Sequence, residues 1–187
     1  MPSPRFKLVV ALLSLSTVMT YLAEPYLGVR TYEELRPAPP FALATIDGST
    51  FLLADQAGKP VLLDFMATWC PPCREEMGEI RTVRSAWPAA NLSIVSIDVD
   101  YSETAEQLDQ FRAAYAGLNG SAEAAGWFFA LDSAETYVGP QYGANALPTL
   151  VLVDGDGMVR RSWVGVVRAS AIMEAVGDLQ VAAVSGG

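Results

Sequence analysis

The stretch "VLLDFMATWCPPCREEM", residues 61–77, decides how this chain is read. From Val61 to Ala67 it is an almost continuous apolar run of strand length, interrupted only by Asp64. Such a run is expected of a strand covered on both faces. It breaks at Trp69-Cys70-Pro71-Pro72-Cys73. Beyond that point Met77, Ile80, Val83 and Trp87 recur at helical spacing until Pro88 stops the pattern. Cys70 therefore stands where a buried strand gives way to a helix. There its sulfur meets free backbone N–H groups and the positive end of the helix dipole, an environment that favours thiolate.

Cys70 and Cys73 are the only cysteines, and the chain has no histidine. A structural zinc site takes four ligands, so two thiols without an imidazole make at most a half-site shared between chains. A staple across two residues removes little loop entropy and stabilises little. A redox-active dithiol is the third reading, and CxxC at a strand-to-helix junction of a βαβ pattern favours it. The missing histidine also excludes Ser-His-Asp and Cys-His hydrolases and the zincin motif.

Outward from this stretch, "TFLL" from Thr50 reads as a short strand and "LSIVSIDVD" from Leu92 as a second strong one, ending in acidic turn residues. Glu103–Leu118 has helical spacing through Leu108, Phe111 and Tyr115. Trp127–Leu131 reads as a short strand and Ser133–Tyr142 as a short helix. "TLVLVD" from Thr149 and "MVRRSWVG" from Met158 flank Gly155-Asp156-Gly157 as a hairpin, and Ala169–Val184 closes the chain as a helix. The order β-α-β-α, a connection, then β-β-α predicts an α/β fold, a mixed central sheet flanked by helices on both faces. Residues 117–126 read as either a specificity loop or a longer connection.

Residues 1–29 read as an address. Arg5 and Lys7 precede the uncharged run Leu8–Ala23, and Tyr21-Leu22-Ala23 is a poor cleavage site. The expectation is an uncleaved single-pass membrane anchor, its basic end cytoplasmic and the rest extracytoplasmic; secretion after cleavage is the alternative. Pro37, Pro39 and Pro40 mark residues 30–37 as an extended linker, with the folded domain spanning 38–187. In all, the 187-residue chain carries a net charge of -9, which argues against a nucleic-acid partner.

"PVLLDFMATWCPPCREEM" resembles the thioredoxin superfamily, in particular its membrane-tethered TlpA/ResA-like branch. "APPFALATIDGSTFLLADQAGKPVLLDF" before the cysteines, "ALPTLVLVDGDGMV" near the end and the late Gly165 extend the resemblance over roughly 38–187. It implies a thioredoxin fold and a thiol-disulfide oxidoreductase with no cofactor beyond a Cys70–Cys73 disulfide and no metal. Cys70 would be the attacking thiolate and Cys73 the resolving thiol. Pro148 matches the family's cis-proline, whose geometry leaves Leu147 free to pair with an extended substrate segment. Trp69 matches an aromatic residue beside the disulfide. With Pro71, Pro72 and Thr149 these residues form the implied substrate-binding surface. Glu76 matches an acidic residue that tunes thiol acidity or relays protons.

Two positions depart from the branch. Asp64 replaces the Asn often found there; a buried carboxyl has a raised pKa and can take the proton that Cys73 loses on resolution. Gly78 stands where relatives carry a helix-kinking proline. Pro71 also removes an N–H from the Cys70 sulfur, and ionised Asp64 or Glu76 would oppose a second negative charge. A less stabilised thiolate means a less oxidising couple. The expectation is therefore a reductant of disulfides in exported proteins, recharged by a membrane electron donor. By resemblance, its clients include apocytochrome c or copper-site assembly proteins. An oxidant or isomerase of the same fold, or a Cu(I) chaperone using the same thiols, are the alternatives.

Overall fold

The structure, a computed structural model, describes residues 29–117 and 126–185. The expected anchor and most of the 117–126 segment lie outside the described residues. Strands β1 (Arg30–Pro37), β4 (Val61–Met66), β5 (Ser93–Asp98), β6 (Trp127–Leu131), β7 (Thr149–Val153) and β8 (Met158–Val164) form one sheet in the order β1-β8-β7-β4-β5-β6. β4 pairs in parallel with β5, and β5 with β6, while β7 and β8 run antiparallel. The mixed sheet expected from element order is present. β2 (Ala42–Ala44) and β3 (Thr50–Leu52) make a separate hairpin.

Every residue of β4 is buried, as its apolar run requires. Side-chain alternation divides it. Leu62 and Met66 join the cluster beneath α1 (Pro71–Ala86), with Cys70, Cys73, Met77, Ile80 and Val83. The same cluster takes in Leu108 and Phe111 of α2 (Ala105–Phe111) and Ile172 and Val176 of α4 (Ala169–Ser185). Val61, Leu63 and Phe65 face the other way, toward Leu43, Phe51, Val138 and Tyr142.

Three expectations are corrected. Residues 30–37 are not a free linker: they form β1 and pair antiparallel with β8, Tyr32 opposite Ser162 and Arg36 opposite Val159. The folded domain therefore begins near Arg30 rather than Ala38. The second sheet face is covered by the β2–β3 hairpin and helix α3 (Val138–Gln141), a single turn rather than the expected short helix over Ser133–Tyr142. Asp132 explains the shortening: its carboxylate accepts the N–H groups of Val138 and Gly139 at 3.0 and 2.9 Å, which starts the helix late. Finally, α2 passes into one π turn, Arg112–Ala116, ending at Gly117 with φ +68°. A Thr104–Gln107 capping box fixes its start.

Candidate active site

Cys70 is the N-cap of α1 and is linked to Cys73 by a disulfide. The next two residues are prolines, so the helix offers no N–H at its first two positions. The first that can reach the Cys70 sulfur is that of Cys73, at 3.3 Å. Both cysteines are almost wholly buried, while Trp69, Pro71 and Pro72 are exposed around them. Trp69 is thus neither a core residue nor packed away: it is 59% exposed, and its indole Nε1 donates to Asp100 at 2.7 Å.

Leu147–Pro148 is a cis peptide bond. Thr149 pairs with Phe65, so this bond lies at the end of the sheet where β4 leads into Trp69 and Cys70. Gly165 N–H donates to the Pro148 carbonyl at 2.9 Å, and the Thr149 hydroxyl to the Ala146 carbonyl at 2.7 Å. Pro148 and Thr149 are buried; Leu147 is half-buried.

Two of the buried carboxyls are the expected site residues Asp64 and Glu76. Asp64 is fully buried and accepts the Ser96 hydroxyl at 2.7 Å on one oxygen, while its other oxygen has no partner among the described residues. Burial pushes its pKa up to about 7, against the smaller opposing effect of Ser96. Glu76, also buried, accepts the Val167 N–H at 2.8 Å. Burial raises its pKa to about 8, the Val167 bond opposes this, and the charge of Asp64 adds to it. The two carboxyls are therefore close enough to feel each other. Among the described residues, no group of three or more His, Cys, Asp or Glu side chains is placed to hold a metal ion.

Asp98, Asp100, Glu103 and Arg74 also surround the active-site turn, and sequence reasoning missed them. The signal for the three carboxyls was the acidic turn after the second strong strand; Arg74 directly follows Cys73 on α1. Because β5 runs parallel to β4, that turn lies at the same end of the sheet as the cysteines.

A buried cysteine pair at a helix N-terminus, flanked by a cis-proline and two carboxyls whose pKa values burial raises toward neutrality, is built for thiol-disulfide exchange. Residues 35–162 match the AhpC/TSA family. The chain belongs to that family. Its relatives include "Thiol-disulfide oxidoreductase ResA" of Bacillus thuringiensis (strain Al Hakam), 31% identical over 130 residues, 70% of this chain and 69% of that protein. "Thioredoxin-like protein YneN" of Bacillus subtilis (strain 168) is 31% identical over 133 residues, 71% of this chain and 72% of that protein. The crystal structure of a "putative Thiol:disulfide interchange protein DsbE" from Chlorobium tepidum superposes with a TM-score of 0.63 at 28% identity, covering 81% of this chain and 97% of that one. Within the AhpC/TSA family, then, this protein has the thioredoxin-like α/β fold and is a thiol-disulfide oxidoreductase of ResA/DsbE type, with Cys70 and Cys73 as its redox pair.

Proposed function

We propose that the protein is a membrane-anchored reductant of disulfides in exported proteins, its catalytic domain on the extracytoplasmic side. The observation that carries this reading is the poor anion environment of Cys70. Two prolines leave its sulfur one N–H donor at 3.3 Å, and the carboxyls of Asp64 and Glu76 lie behind it. A thiolate so weakly stabilised makes the reduced pair a ready electron donor.

In the forward reaction the Cys70 thiolate attacks one sulfur of a client disulfide, forming a mixed disulfide and releasing the other client sulfur as a thiolate. Asp64, as carboxylate, takes the Cys73 proton. The Cys73 sulfur then attacks Cys70, forming the intramolecular disulfide and releasing the second client sulfur. Two electrons pass to the client, and a donor at the membrane returns two to the pair. Leu147 makes no backbone–backbone hydrogen bond among the described residues, so its N–H and C=O are free to align an extended client segment beside the cis-proline. Exposed Trp69, Pro71 and Pro72 form the apolar lip around the attack site. Family resemblance points to apocytochrome c or copper-site assembly proteins as clients. The apolar run Leu8–Ala23 would provide the anchor.

The test is the reduction potential of the Cys70–Cys73 pair, measured by equilibration with glutathione. A value well below that of the glutathione couple is expected. A value well above it would make the protein an oxidant and overturn the assignment.

A further inference from the structure

The C-terminal ends of the parallel strands β4 and β5 lie side by side, Met66 opposite Asp98. The turn leaving β4 carries Thr68, Trp69 and Cys70; the turn leaving β5 carries Asp98, Asp100 and Glu103. The second turn grips the first. Glu103 accepts the Thr68 N–H on Oε2 at 2.8 Å and the Thr68 hydroxyl on Oε1. Asp100 accepts the Trp69 indole N–H at 2.7 Å. On the outer side, Arg74 donates to the Thr68 carbonyl from Nε at 3.4 Å and Nη2 at 3.2 Å. Thr68 is thereby held at its N–H, its hydroxyl and its carbonyl, two residues before the reactive sulfur.

Behind Glu103 lies Asp98, fully buried. Its Oδ1 accepts the Asp100 N–H at 2.9 Å, and its Oδ2 has no donor among the described residues. Glu103 and Asp100 lie close enough to Asp98 for their negative charges to act on it. Arg74 is turned instead to Thr68 and to the Tyr115 ring, 5.4 Å from its centroid. Two carboxyls in contact need a shared proton. Both Glu103 oxygens already accept bonds from Thr68. The proton belongs on Asp98, the fully buried carboxyl, whose Oδ2 has no donor among the described residues. Burial, the contact with Glu103 and the charges of Glu103 and Asp100 all raise the pKa of Asp98 well above the carboxylate range.

We propose that Glu103 is a positioning residue for disulfide exchange, seating the Thr68–Trp69 lip beside Cys70, and that protonated Asp98 keeps Glu103 in that seat. When Asp98 loses its proton, the two like charges push Glu103 away from Thr68 and the lip loosens. The lip is therefore ordered at neutral pH and below, and released on the alkaline side.

The test uses the oxidised protein, in which neither cysteine titrates. Trp69 fluorescence is followed from about pH 6 to about pH 9.5, below the titration of ordinary tyrosines, with Trp69→Phe as the baseline. Asp64 and Glu76 titrate in the same window but are present in every variant, so the decisive quantity is the component that each substitution removes. Asp98→Asn keeps an N–H donor toward Glu103 without titrating and is expected to abolish the alkaline component. Glu103→Ala is expected to show the released signal at every pH and, once its Cys70–Cys73 pair has been reduced, to exchange with a small aromatic disulfide at pH 7 about tenfold more slowly. Glu103→Gln, which keeps an acceptor for the Thr68 N–H, should fall between the two and serves if the alanine variant does not fold. An alkaline component of wild-type size and midpoint in Asp98→Asn would overturn the proposal. So would wild-type fluorescence and exchange rate in the folded Glu103 variant.

Discussion

Asp64 shows how one residue converts burial into chemistry. Its carboxyl sits on the α1-facing side of β4, the side that also holds Cys70 and Cys73, and Ser96 is its one hydrogen-bond partner among the described residues. Burial lifts its pKa to about 7, so near neutrality it exchanges protons in either direction. The Cys73 thiol needs such a base during resolution. The rate of that step should rise as pH climbs through about 7, where Asp64 becomes the carboxylate. Asp64→Asn should remove this rise and slow resolution by roughly 10²-fold or more. Trapping the mixed disulfide with a model substrate and following its decay by mass spectrometry from about pH 6 to about pH 8 provides the measurement. An unchanged decay would assign the proton to another group. The structure buries Asp64, and its position, a charge set in an apolar strand, was visible in the sequence. The Glu103–Thr68 contact was not, because it joins residues 35 positions apart through a strand pairing that no local pattern encodes.

At the scale of elements, the strong periodicities held and the polar ones misled. β4, β5 and β7 are buried along their whole length; β4 and β7 are nearly unbroken apolar runs, while β5 carries Ile94, Val95 and Ile97 between Ser93, Ser96 and Asp98. β1 carries "RTYEELRP", charged and largely exposed, with proline at its end. That composition suits the edge of a sheet, where charges and proline discourage further pairing. In a single sequence it reads as a linker. Its tie to β8 includes Glu34 with the Ser162 hydroxyl and Arg161 with Glu33 at 3.1 Å, in addition to the backbone ladder. Two shortened chains, one beginning at Val29 and one at Ala38, distinguish strand from tether. Losing β1 should lower stability by about 1 kcal/mol or more in urea denaturation, since it removes a ladder and leaves β8 as the new edge. Equal midpoints would show that the pairing contributes nothing.

For the molecule as a whole, the buried carboxyls set the direction of its pH dependence. Asp64 and Glu76 keep their protons in the folded state up to about 7 and about 8. The unfolded chain releases them near pH ~4. Between these limits the folded state binds more protons, so stability falls as pH rises, each group contributing at most about 1.4 kcal/mol per pH unit. The stability they provide is complete below about 4 and is lost as pH passes the two folded values. Asp47 and Asp100, whose pKa values are lowered chiefly by hydrogen bonds from Thr45 and from Ser102, act oppositely and lose their contribution only in stronger acid. The oxidised protein should therefore have a higher urea midpoint at pH ~5 than at pH ~8, with a shallower decline in Glu76→Gln. A midpoint that climbs toward alkaline pH would contradict this balance. By itself, the sequence determined the mixed α/β architecture, the buried central strands and the reactive pair at a helix N-terminus, because apolar periodicity and CxxC spacing are local properties of the chain. Only the tertiary structure decided that β1 closes the sheet, that Trp69 faces solvent, and that Glu103 and Asp98 stand behind the active-site turn. Those features depend on which strand lies beside which, and pairing between distant segments leaves almost no trace in the order of residues along either one.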